Sequence, residues 1–148
     1  MKQQPVVLLV EDNPDDLALM QLAIERAQVP MAVVVAADGQ EALEWVLRRG
    51  AHIGRDQDVY PALLLLDLNL PVMGGLQILK TLREEPEGRV IPVVVLTTST
   101  MPADIATAYE LGANAFVQKP MEFPALVNLV KALAGFWLSF NITHPALR

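Results

Sequence analysis

Short apolar runs punctuate the chain, and each ends on a residue able to do chemistry. Val6–Val10 leads into Glu11-Asp12, and Leu63–Leu66 leads into Asp67. Val93-Val94-Val95-Leu96 leads into Thr97, and Ala115–Gln118 leads into Lys119-Pro120. Runs of this length between helix-like segments are the pattern of strands buried on both faces of a parallel sheet. The pattern predicts strands over 6–10, 32–36, 62–67, 92–97 and 115–118. It predicts helices over 15–27, 40–49, 75–84, 102–111 and 123–138, with a polar, aperiodic loop over 51–60. Leu17, Met20, Ile24 and Ala27 share one face of the first helix, Asn13-Pro14-Asp15-Asp16 starts it, and Pro30 closes that region. Five βα units with a helix in every crossover imply an α/β fold with a right-handed parallel sheet.

In an open α/β sheet the carboxyl ends of the strands share one edge, where ligands bind. Three carboxylates (Glu11, Asp12, Asp67), a hydroxyl (Thr97) and an ammonium (Lys119) converge there. Carboxylates this close repel unless a cation sits among them, so the cluster predicts a bound metal.

Composition narrows the function. The 148 residues suit one domain, and 53% hydrophobic content excludes a disordered chain. With no cysteine there is no thiol catalysis, disulfide or cysteine-held metal. The net charge of -6 argues against nucleic acid as a partner. Acids follow the N-terminus too soon for a signal peptide, and no apolar run approaches the roughly 20 residues of a bilayer span. The expectation is a cytoplasmic protein that does not contact membrane.

The motifs Val10-Glu11-Asp12-Asn13, Leu66-Asp67-Leu68-Asn69-Leu70-Pro71, Leu96-Thr97-Thr98-Ser99 and Val117-Gln118-Lys119-Pro120 together resemble the receiver domains of two-component response regulators. The resemblance covers nearly the whole chain. It implies a flavodoxin-like (βα)5 fold with strand order 2-1-3-4-5. It also implies one receiver domain over 1–148, with its core at 5–135, a C-terminal tail over 136–148 and no output domain. Asn13-Pro14-Asp15-Asp16, the stretch from Ile91 to Ser99 and the Phe136-Trp137-Leu138 ending narrow it. They are similar to the stand-alone regulators that serve bacterial phytochromes.

The resemblance implies roles. Asp67 is the phosphoacceptor, because a carboxylate can attack phosphorus to form an aspartyl phosphate. Mg²⁺ is held by Asp12, by Glu11 through water, by Asp67 and by the Asn69 backbone carbonyl. Lys119 and Thr97 bind the phosphoryl group, Phe116 is a switching aromatic coupled to Thr97, and the Lys119-Pro120 bond is cis. Two departures stand out: Thr98 is bulkier than the small residue usual there, and Gly74 replaces an acid common before Gly75. His52 and His144 lack metal spacing and read as solvated side chains.

The last helix carries too many apolar residues for one buried stripe. Leu133, Phe136, Trp137, Leu138 and Phe140 therefore become candidates for a homodimer interface, as in the resembling regulators. The expected function is phosphoryl acceptance from a sensor histidine kinase, followed by phosphorylation-dependent protein contacts. The chain would be no enzyme beyond autophosphorylation and autodephosphorylation. A phosphate sink or relay shuttle is the near alternative. An Asp-nucleophile phosphatase would want an acid where Asn69 stands, and a flavodoxin-type cofactor would meet Glu11-Asp12 where its phosphate must sit. A degenerate, phosphate-free receiver sits poorly with an intact set of site residues.

Overall fold

Every predicted strand becomes one, and the sheet they form runs parallel throughout in the order β2-β1-β3-β4-β5. The structure, a computed structural model, describes residues 4–47, 60–70 and 73–147. The elements are β1 (Val6–Val10), α1 (Pro14–Ala27), β2 (Ala32–Ala36), α2 (Gly39–Leu47) and β3 (Leu63–Leu66). They continue with α3 (Gly75–Glu84), β4 (Val93–Thr97), α4 (Pro102–Glu110), β5 (Ala115–Gln118) and α5 (Phe123–Leu133). The predicted end of the second helix, the polar loop and His52 lie outside the described residues.

Period-two alternation divides the strand residues between two cores. Leu8, Val10, Leu64, Leu66, Val93 and Val95 face α2 and α3. Val7, Leu9, Leu63, Leu65, Val94 and Leu96 face α1 and α5. A sheet covered on both faces has no polar side, which is why its strands read as unbroken apolar runs.

Helix starts follow local chemistry. The Asn13 side chain accepts the Asp15 and Asp16 N–H groups at 2.9 and 3.1 Å, with Pro14 in the first turn. Asp38 and Glu41 cap α2: Asp38 accepts the Glu41 N–H at 2.8 Å, and Glu41 reaches back to accept the Ala37 N–H at 3.1 Å. Helix α3 has Gly74 at its N-cap and therefore no side-chain cap.

The fifth helix departs from expectation. It is α-helical to Leu133 and then widens into a π-helical segment, Ala134–Phe140, closed by an Asn141 N–H to Phe136 carbonyl bond of 2.7 Å. A wider helix turns less per residue, so Trp137 and Leu138 both reach the α1–α5 core, as does Leu133. Phe136, packed edge-on to Trp137 at 4.8 Å between ring centroids, stays 51% exposed, and Phe140 and Ile142 are each 80% exposed. The 18 residues Phe123–Phe140, at a mean hydropathy of 1.5, are long and apolar enough to cross a membrane by length and composition alone. Their inner face packs against the sheet and α1, which accounts for much of that apolarity.

Arg83 fastens the far side of the sheet. Its guanidinium donates to the carbonyls of Gly112 (2.9 and 3.1 Å), Gly88 (2.6 Å) and Ile91 (2.7 Å) and to the Asn114 side-chain oxygen (2.9 Å). The Asn114 oxygen also accepts the Val93 N–H at 2.8 Å. One side chain thus ties the end of α3 to the edge of β4 and to Gly112, whose φ of 103° suits glycine. Burial lowers the pKa of this guanidinium. Removing the fork strands several carbonyls, so Arg83→Met should lower unfolding stability by roughly 3 kcal/mol. Arg83→Lys should fall between variant and wild type in urea denaturation. A change within about 0.5 kcal/mol for Arg83→Met would show that these bonds are marginal.

Candidate functional site

Strand order brings the ends of β1 and β3 side by side, and β4 carries β5 next to them. Register continues past the strands: the Asp67 N–H donates to the Val10 carbonyl at 3.3 Å, and the Lys119 N–H donates to the Thr97 carbonyl at 2.8 Å. Four of the predicted residues are thereby delivered to one place by backbone pairing.

Lys119 is the centre of the group. Its ammonium lies 2.7 Å from a Glu11 oxygen and 3.2 Å from an Asp67 oxygen. The other Asp67 oxygen accepts the Asn69 N–H at 3.0 Å, and the other Glu11 oxygen accepts the Asn13 N–H at 3.1 Å. Glu11 is only 4% exposed. Burial raises its pKa, opposed by the Lys119 and Asn13 hydrogen bonds and reinforced by the Asp67 charge. For Lys119, burial alone would lower the pKa, but the hydrogen bond to Glu11 and the charges of Asp67 and Glu11 outweigh it and raise it.

Thr97 is fully buried, and its hydroxyl oxygen accepts the Ser99 N–H at 3.3 Å. Asp12 is exposed at the mouth. Phe116 is half-buried against the core on the α2–α3 side, paired with Val95 two residues before the ladder ends at Thr97 and Gln118. Thr98 is exposed beside Lys119 along one crevice. Gly75 explains the loop that carries Asp67: a Cβ there would collide with the Asp67 carbonyl and come within 2.7 Å of the Leu68 Cα. Any larger residue would push the phosphoacceptor candidate out of line.

One expectation needs correction. The described residues contain no cis peptide bond, so Lys119-Pro120 is trans rather than cis. An X–Pro bond prefers trans by about 0.5–1 kcal/mol unless its surroundings select otherwise, and here Lys119 already meets Thr97, Glu11 and Asp67 with the bond trans. Among the described residues no three acidic or imidazole side chains gather closely enough to hold a metal by side chains alone, so the expected metal would need the backbone carbonyl and water that complete its donor set. The Lys119 ammonium sits between Glu11 and Asp67 and supplies the cation their charges require. The donors still fit Mg²⁺, a hard cation that takes oxygen ligands and usually needs only one or two carboxylates, with water and phosphate completing its shell. Glu11, Asp12, Asp67 and the Asn69 carbonyl offer oxygen and nothing softer.

Sequence reasoning missed Asp16, whose carboxylate lies 3.9 Å from the Lys119 ammonium. An acid in the first turn of a helix reads as a dipole partner, and only the packing of α1 against α5 brings it beside the end of β5.

The family model for the response regulator receiver domain matches residues 7–131. The chain belongs to that family. The response regulator Rcp1 of Synechocystis sp. (strain ATCC 27184 / PCC 6803 / Kazusa) is 34% identical over 141 residues, covering 95% of this chain and 93% of the relative. The phosphorylated cyanobacterial phytochrome response regulator RcpA superposes with a TM-score of 0.85 at 36% identity, covering 95% of this chain and 98% of that one. The Mn²⁺-bound form of Rcp1 gives a TM-score of 0.82 at 32% identity, with 95% and 99% covered. This receiver is therefore a relative of phytochrome response regulators, with the flavodoxin-like fold and strand order that the motifs implied.

Proposed function

We propose that this receiver is a stand-alone, cytoplasmic response regulator that accepts a phosphoryl group on Asp67 from a sensor histidine kinase of the phytochrome type. It then signals by phosphorylation-dependent protein contacts, without nucleic acid or membrane as a partner. The observation that carries the reading is the Lys119 ammonium, held within hydrogen-bond reach of both the Asp67 carboxylate and buried Glu11.

In the transfer an Asp67 oxygen attacks the phosphorus of a phosphohistidine. The O–P bond forms as the N–P bond breaks, and the imidazole leaves with the electron pair and takes up a proton. Lys119 exchanges a carboxylate oxygen for a phosphoryl oxygen as negative charge gathers there. The Thr97 hydroxyl, whose oxygen accepts from Ser99, donates its own hydrogen to the phosphoryl group. Glu11, through water, Asp12, Asp67 and the Asn69 carbonyl would hold Mg²⁺, which would supply positive charge to the phosphoryl oxygens. Movement of Thr97 toward phosphate vacates space that the half-buried Phe116 ring fills. Water later hydrolyses the aspartyl phosphate, so the chemistry times a signal rather than turning over a substrate.

The reading also includes a homodimer. Leu133, Trp137 and Leu138 spend part of their surface on their own core. Phe136 and Phe140 remain outside, on the same side of the widened helix, and a second copy is the partner proposed to cover them.

Incubation with Mg²⁺ and a small phosphodonor should add one phosphoryl group to the intact mass, and Asp67→Asn should abolish the gain. No gain in the wild type, or an undiminished gain in the variant, rules out Asp67 as acceptor. Light scattering should show a dimer at tens of micromolar. Phe136→Ser/Phe140→Ser should raise its dissociation constant by roughly two orders of magnitude or more, given about 1.5–3 kcal/mol per buried phenyl ring. A wild-type monomer, with and without phosphodonor, would contradict the dimer.

A further inference from the structure

Three carboxylates surround the Lys119 ammonium, and they are not equivalent. Glu11 and Asp67 grip it from inside the site at 2.7 and 3.2 Å, both largely buried. Asp16 approaches from the solvent side, 48% exposed and 3.9 Å away. That distance is too long for a hydrogen bond, so Asp16 acts on Lys119 through charge alone. Its backbone is fixed, because the Asp16 N–H is bound by the Asn13 side chain at 3.1 Å. The carboxylate also lines a crevice of about 200 Å³ together with Thr98, Lys119 and Met121. That volume admits a small phosphorylated molecule.

We propose that Asp16 is a specificity-determining residue that opposes small, free, anionic phosphoryl donors at the mouth of the site. Its charge weakens the outward pull of Lys119, so a dianion approaching the ammonium along the crevice that both residues line is repelled by the neighbouring carboxylate. A phosphoryl group carried on a protein surface brings other contacts that offset this repulsion, whereas a free small molecule brings none. Asp16 thus lowers stray phosphorylation by small metabolites without touching the acceptor. The inference rests on Asp67 as acceptor. A merely structural Asp16, serving the α1 dipole, would not distinguish donors by their charge.

The test compares initial rates of phosphoryl gain, read by intact mass at saturating Mg²⁺, for wild type, Asp16→Asn and Asp16→Glu. Two donors are used: an acyl phosphate, which carries more negative charge, and phosphoramidate, which carries less. At low ionic strength Asp16→Asn should react roughly two- to fivefold faster than wild type with the acyl phosphate, the size expected of one half-exposed charge. The gain should shrink with phosphoramidate and vanish near 1 M salt, where screening is nearly complete. Asp16→Glu should restore the slow rate. Equal rates for wild type and Asp16→Asn at low salt, or a difference indifferent to donor charge and salt, would overturn the assignment. No phosphoryl gain in any of the three proteins with either donor would instead overturn Asp67 as acceptor.

Discussion

One ammonium holds the functional edge of this molecule together. Lys119 stands at the end of β5, Asp67 at the end of β3 and Glu11 at the end of β1, so three strands converge on a single positive charge. Two largely buried carboxylates facing each other would repel strongly without it. The pKa of Lys119 is raised, against the direction that burial alone would give, because both acids favour its charged form. The same grouping suits phosphoryl chemistry, because an ammonium that already bridges two anions can transfer one of its contacts to a third.

The rest of the fold fixes the distances within that triad. A sheet buried on both faces packs leucine and valine side chains against helices on each side, so a slip in register would break that close packing and shift Glu11, Asp67 and Lys119 relative to one another. Small features then refine the edge. Gly75 lets α3 begin against the Asp67 carbonyl, and the Asn13 cap starts α1 immediately after the acids of β1. Arg83 does equivalent work at the opposite edge, where the turn after α3 and the start of β5 must stay in step with β4.

Much of this was legible in the sequence because apolar runs ending in a polar residue carry both strand identity and site identity. The strands at Val6–Val10, Ala32–Ala36 and Ala115–Gln118 and the helix at Gly75–Glu84 match the predicted limits. What escaped prediction depends on tertiary approach. Asp16 reaches Lys119 only because α1 packs on α5, and two of the Arg83 acceptors, Gly112 and Asn114, lie 29 and 31 residues away along the chain. The π-helical segment brings both Trp137 and Leu138 to one core, which a periodicity of 3.6 cannot register. The trans Lys119-Pro120 bond corrects an expectation taken from resemblance alone.

Urea unfolding of Lys119→Met against wild type, each with and without Mg²⁺ at neutral pH, tests the role of this ammonium most directly. Without the cation, Glu11 and Asp67 face each other unscreened, so the variant should lose roughly 1–3 kcal/mol of stability. Added Mg²⁺ should then stabilise the variant more than the wild type, because a divalent cation binds the folded carboxylates without displacing an ammonium. A variant as stable as wild type, with the same response to Mg²⁺, would contradict the role given to Lys119.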